Sequence, residues 1–297
     1  MPVSVLARAQ ARRIGRTRHS ATPRVAVLLA WPAVLLVVFF AVPFALLIRV
    51  SVAPHDPSAL WLPGVTAAPY TFLAQRVFAD ALLYSLGLAV SVGAVCVLVG
   101  FPFAYLITRM GRRQRVTWLV FLLSTLALSE VLVTFAWQVM LAKRIGLSNL
   151  LVAVGLMAAP DSLTPSEGAV ISCLVYLILP FTVLTLYPSL SRLDPALVEA
   201  ARTMGASPLR AFASVVMPLS RGPLLASFLM AAVLAIGSYV APLVLGRTQD
   251  WTLAILITRT ALGGQNMPGA AAIAMLLLVA TIALAAATAW AGRERAQ

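Results

Sequence analysis

The sequence predicts an all-α integral membrane protein with six transmembrane helices and both termini in the cytoplasm. Three observations lead there. The 297 residues are 61% hydrophobic and 10% charged, whereas a soluble domain is nearer half apolar and a quarter charged. Six apolar stretches, about 25–48, 82–108, 116–141, 168–190, 222–245 and 269–291, can each cross a hydrocarbon core of roughly 30 Å at about 1.5 Å per helical residue. None alternates polar and apolar residues in the manner of a barrel strand, so each reads as a helix. With the amino terminus inside, 16 of the 22 Lys and Arg fall in cytoplasmic segments and 6 at the outer side, which fixes the orientation by the positive-inside rule.

In chain order, residues 1–24 form a basic cytoplasmic tail running from Arg8 to Arg24. The apolar stretch that follows is about twice the length of a signal peptide's, so it reads as a retained first span. That span contains Pro32 and Pro43, and with its outer loop it extends over 25–64. Trp61 and Tyr70 suit an interfacial aromatic role. The second span is rich in small residues (Ser85, Gly87, Ser91, Gly93, Ala94, Gly100), the composition that lets helices approach closely in lipid. Met110 to Arg115 make a tight basic inner turn.

Glu130 is the one acid well inside a predicted span, the third. A carboxylate there is costly and faces protein or water. Two readings stand: it meets a cationic substrate, or it hydrogen-bonds a neighbouring helix. Ser148 to Ala159 is apolar but too short to span, and reads as an interfacial segment or a helix under the outer surface. The fourth span carries Pro180 and Pro188 with Tyr176 and Tyr187, and the fifth ends at Gly237 to Gly246 with Ser238 and Tyr239. A carboxylate in a low-dielectric cavity attracts an ammonium strongly, and Tyr84, Trp137, Tyr176 and Tyr239 add cation–π faces if they line the same cavity. The sixth span is rich in Ala and Leu, and 292–297 is a charged cytoplasmic tail.

Between the fourth and fifth spans lies the long polar-containing block Asp194 to Pro218, DPALVEAARTMGASPLRAFASVVMP. Asp194-Pro195 and Ser207-Pro208 are each a capping side chain followed by a residue with φ preset for the first helical position. Gly205 can take the left-handed conformation that closes the first helix. The spacing predicts two short helices meeting at Gly205, the second stopped by Pro218. Small Ala200 and Ala201 permit close approach of another helix, and Glu199 offers an acceptor near the bend.

Glu199-Ala200-Ala201, three residues, Gly205, nine residues, then Val215-x-Met217-Pro218 resembles the EAA signature of binding-protein-dependent ABC importer permeases. Val215 and Met217 replace the usual Ile and Leu. The end of the second span, Gly100 to Arg109, resembles that family's first core span, and three stretches resemble its spermidine/putrescine-type subfamily: VTFAWQVML in the third span, the Gly146-Leu147-Ser148-Asn149 turn, and Val175-Tyr176-x-x-x-Pro180-Phe181-x-Val183. Val133 stands where that subfamily often has Arg, and Ser238 where relatives often have Glu. The resemblance covers about 65–290.

The resemblance implies a type I ABC importer permease fold, with a core over 65–291 and a cytoplasmic coupling loop at 192–221. Glu199, Ala200, Ala201, Gly205, Ala206, Ser207, Pro208, Leu209, Arg210 and Pro218 would meet the ATPase. Glu130, Trp137, Tyr176, Ser238 and Tyr239 would line the substrate pathway. It implies ABC ATPase subunits, a second permease subunit (homologous or identical) and an extracytoplasmic substrate-binding protein as partners, in a bacterial-type inner membrane. The chain itself would hold no cofactor and catalyse no bond chemistry, ATP and Mg residing on the ATPase. A polyamine or related organic cation is the implied substrate.

Other classes fit less well. Lys143 is the only lysine and no phosphate-binding G-x-x-x-x-G-K surrounds it, so the chain has no P-loop. The net charge of +13 sits at span ends on one side, where it orients the protein against anionic lipid rather than binding nucleic acid. A DNA-binding helix-turn-helix at 194–218 would have only Arg202, Arg210 and Arg221 for phosphates. Cys96 and Cys173 fall within spans and read as small packing residues, and His19 and His55 as solvated side chains. An ion-driven secondary transporter would place several ionisable groups near the midplane, where this chain has Glu130. A non-transporting membrane scaffold would have no need of the 194–218 loop.

Overall fold

A computed structural model describes residues 31–56, 61–143, 147–155, 159 and 161–294; the basic tail 1–24 and Gly146 lie outside these residues. The described residues contain helices and no β-strand. The chain divides into two compact units, 1–50 and 51–297. In the first runs α1, Trp31–Ser51, a 21-residue apolar helix whose last residue begins the second unit. It widens into a π-turn at Val37–Ala41, where Val42 N–H donates to Val37 O.

The second unit opens with a loop held to itself. Thr66 N–H donates to Val52 O at 2.7 Å, and the hydroxyls of Ser51 and Tyr70 bond at 2.9 Å. Tyr70 lies on α2 (Ala68–Phe72). Then α3, Arg76–Arg109, runs 34 residues, about 51 Å at the α-helical rise. Arg115 Nη2 donates to Thr108 O and Met110 O, fastening the turn that joins α3 to α4 (Arg112–Leu126). After α5 (Glu130–Met140) comes α6 (Leu147–Ala153). At seven residues α6 is about 10 Å long, well short of a bilayer core. The remaining helices are α7 (Glu167–Leu190), α8 (Pro195–Thr203), α9 (Pro208–Leu219), α10 (Arg221–Ile236), α11 (Val240–Leu245), α12 (Leu253–Gly263) and α13 (Met267–Glu294).

The core sits where α3, α7 and α10 pack together. Leu88, Val92 and Cys96 of α3 meet Val170, Cys173 and Leu174 of α7 and Ala231, Ala232 and Ala235 of α10. Both cysteines are buried and free. Small residues set the spacing: a Cβ on Gly93 would come within 3.0 Å of the Phe228 ring, so any larger residue would push α10 away from α3. A further cluster joins Phe78 and Ala81 to Leu253 and Leu256 of α12, a helix for which the sequence analysis has no element. Val133 is buried in the central cluster, which gives its apolar character a packing reason.

Two of the predicted spans are not continuous. The expected third helix, 116–141, breaks at 127–129, and α4 and α5 meet at 95°. The expected fifth helix, 222–245, ends at Ile236, and Gly237–Tyr239 separate it from α11. Nor does Pro218 stop the loop helix: α9 continues to Leu219 by opening a π-turn at Phe212–Val216, and α10 then leaves at 77°. Here and in α1 the π-turn ends two residues before a proline, Pro218 and Pro43. Proline lacks the N–H and crowds the carbonyl four residues back, and the wider turn relieves that crowding. Among the described residues α1, α3, α7 and α13 are by themselves long and apolar enough to cross a membrane, and joining helices across bends raises the number from four to six.

Candidate functional site

Two regions carry the residues singled out above. The first is the loop of α8 and α9. Asp194 Oδ1 accepts from Ala196 N–H at 2.9 Å and Ser207 Oγ from Arg210 N–H at 3.3 Å, each before a proline in the first turn. Gly205 has φ +89°. Ala206 N–H reaches Ala201 O and Gly205 N–H reaches Arg202 O, the paired bonds that close a helix on a left-handed residue. A Cβ on Gly205 would meet nothing within 4 Å. The bend is therefore left-handed as expected, and open within this chain.

Much of the loop faces away from the core. Glu199, Ala200, Ser207, Pro208 and Arg210 are exposed, and Met204 and Leu209 flank the bend at 83% and 81% exposure. Ala201 instead packs inward at 7%, and Ala206 and Pro218 are half-buried. Two large apolar side chains held out beside a fixed turn make a surface suited to a partner groove. Met204 escaped the sequence reading because it lies in the three-residue gap of the motif.

The second region is the pair of helix breaks. Ser129 takes an extended conformation before α5, so Glu130 is the first residue of that helix. It is exposed within this chain, at a break rather than deep inside a continuous span. A carboxylate is favoured at a helix N-terminus, where backbone N–H groups point outward. Ser238 Oγ, in the break between α10 and α11, donates to Glu130 Oε1 at 3.1 Å. Together they line a cavity of about 240 Å³ with Thr125, Leu128, Phe181 and Gly237.

A second cavity of about 420 Å³ adjoins the first and shares Leu128 with it. Its walls are apolar and aromatic, including Trp137 and Tyr176, whose ring centroids lie 6.2 Å apart. Glu130 and Trp137 are seven residues apart on one helix, close to two full turns, so they lie on the same side of α5. Tyr84 is elsewhere, in a third cavity with Asp80, Asp250 and Trp251. Tyr239 is half-buried and lines none of the three. Four of the five predicted pathway residues thus gather at two neighbouring cavities. Leu128, which borders both, was missed because it reads as one apolar residue among many.

Comparison with known proteins bears on both regions. Residues 96–295 match the model of a family described as binding-protein-dependent transport system inner membrane component. The chain is 29% identical over 255 residues to the spermidine/putrescine transport system permease protein PotB of Haemophilus influenzae, covering 86% of this chain and 88% of that protein. In fold it resembles a chain of a bacterial ABC transporter involved in import of the acidic polysaccharide alginate (TM-score 0.72, 16% identity, 91% and 95% covered). It likewise resembles a chain of the bacterial alginate transporter in complex with a pentasaccharide-bound periplasmic protein (TM-score 0.70, 15% identity, 89% and 92% covered).

Proposed function

The chain belongs to the family of binding-protein-dependent transport system inner membrane components, and from that premise we propose that it imports a small organic cation of the polyamine class. It is the multi-pass permease component of an ABC importer. A second permease subunit, identical or homologous, completes the pathway with it. An extracytoplasmic binding protein delivers the substrate from outside, and ATPase subunits bearing ATP and Mg dock at the 192–221 loop, with both termini on their side of the membrane. Movement of the docked loop switches the pathway between its inward and outward states.

The single observation that supports the cation is the Glu130 carboxylate in its cavity beside the Trp137–Tyr176 rings. The carboxylate supplies a counter-charge and the rings supply faces for a second ammonium or its methylene spacer. The similarity to PotB points the same way. The loop reading is supported by the EAA pattern on a left-handed bend that holds Met204 and Leu209 outward. The test is uptake of labelled putrescine and spermidine by the reconstituted complex. Uptake of neither by the wild type removes the polyamine. Failure of any ATPase to copurify removes the importer assembly and favours an ion-driven transporter.

A further inference from the structure

We propose that Phe212 is the joint through which movement of the α8–α9 loop reaches the transmembrane core, a proposal that rests on the reading of that loop as the ATPase dock. The loop's exposed surface belongs to a partner. What ties it inward is a short set of contacts: Ala201, Ala211 and Val216 are buried, and Phe212 is the loop's one aromatic residue. Its ring lies 5.0 Å from that of Phe101 and 5.1 Å from that of Tyr105, centroid to centroid. Phe101 and Tyr105 are one turn apart on α3, and Arg109, one turn further on, sets its guanidinium 4.9 Å over the Tyr105 ring. The inner end of α3 therefore carries a ladder of Phe101, Tyr105 and Arg109 on one face, with Phe212 seated between its first two rungs.

Two backbone features coincide at this seat. Phe212 opens the π-turn of α9, accepting the bond from Met217 N–H. Such turns recur at functional positions, where they redirect side chains. Opposite it, Pro102 lies inside α3 between the two aromatic rungs. Proline deletes the bond from position 102 back to the Leu98 carbonyl, so the weakened turn of α3 ends where the rungs that Phe212 grips begin. A close-packed ring cannot move without taking its neighbours along or leaving its seat. Phe101 is 3% exposed, so the inner side of that seat is closed, while Phe212 and Tyr105 are half-buried. From there α3 passes through the whole core against α7 and α10, and α10 leads directly to the Gly237–Tyr239 break beside Glu130.

Phe212 is thus a positioning residue, and a mechanical readout tests it without knowledge of the substrate. Nitroxide labels are placed at Thr203→Cys in the loop and Leu106→Cys on α3, both exposed sites, while the native cysteines are buried. The label separation is measured in the full transporter, nucleotide-free and vanadate-trapped. In the wild type the separation stays the same, because loop and helix move as one. In Phe212→Ala it shifts or broadens on trapping, ATP hydrolysis continues, and uptake per ATP is lost; Phe212→Tyr restores both. If Phe212→Ala does not reach the membrane, Phe212→Leu, which keeps bulk but loses the ring, carries the same measurement. A wild-type separation that changes on trapping overturns the joint, as does an unchanged separation in the variants, or failure of both variants to assemble. Absence of a copurifying ATPase in the wild type overturns the docking reading itself and is seen before any distance is measured.

Discussion

Ser238 Oγ and Glu130 Oε1, 108 residues apart in sequence, are joined by a 3.1 Å hydrogen bond that links the break in one predicted span to the break in another. Position 238 is where the sequence reading noted a missing acid. The acid is present all the same, offered from α5 across the contact.

Glu130→Gln should keep the acceptor for Ser238 and remove the charge. We expect normal amounts in the membrane and a rise in KM for spermidine of roughly tenfold, equivalent to about 1.4 kcal/mol. A fully buried ion pair would be worth more, but Glu130 is exposed within this chain, and screening discounts it. Unchanged uptake kinetics would mean that the carboxylate serves only to fasten the two breaks.

Exchanging the two residues separates charge from position. Glu130→Ser should lose uptake, and adding Ser238→Glu should restore a large part of it, since the carboxylate returns to the same cavity wall. No recovery in the double variant, with both proteins made in equal amount, would show that the acid must issue from the N-terminus of α5.

Gly205→Ala tests the bend. At φ +89° a Cβ costs about 1–2 kcal/mol, yet it meets nothing within 4 Å of its own chain. The variant should therefore insert normally and retain part of its ATPase. Gly205→Asp should retain less and Glu199→Lys should weaken retention independently, all read by quantitative copurification. Full transport with Gly205→Asp would remove the docking assignment.

Orientation has a direct chemical test. A cysteine at Arg210 should react with an impermeant maleimide only from the cytoplasmic side, and one at Asp161 only from outside. Both are exposed, so reactivity is limited by sidedness alone. The reverse pattern would invert the topology, and labelling of both from one side would mean that the chain crosses an even number of times between them rather than once, which the charge distribution does not allow.

Much of this was legible in the sequence because the signals are local. Asp194-Pro195, Gly205 and Ser207-Pro208 act within a few residues of themselves, and each does in the structure what its chemistry dictates. The breaks were not legible for a physical reason. Hydropathy averages over some 18 residues, and the interruption Ala127-Leu128-Ser129 contains neither Gly nor Pro. Its sole local mark is Ser129-Glu130, a helix-start pair hidden in an apolar run. The fifth span carried a plainer warning in Gly237 and Pro242, outweighed by its apolar length. The short helix α12 was too brief to register; Ser85 Oγ, accepting from Leu253 N–H at 2.9 Å, pins it to α3 beside the Phe78 and Ala81 contacts.

The π-turn at Phe212–Val216 makes residue count itself a setting of the molecule. One residue of α-helix turns the chain by about 100° and advances it by about 1.5 Å. Deleting Ala213 would let the five-residue turn relax to four, and because five residues of π-turn sweep about the angle that four of α-helix do, the helix on either side would keep its facing. Met204 and Leu209 would then still point outward. Such a deletion should yield a protein that is made, inserted and still retains its ATPase, whereas deleting a residue from the regular turns of α9 should lose it. The aim of the docking surface is thus buffered against a missing residue in this one turn and exposed to it elsewhere in α9.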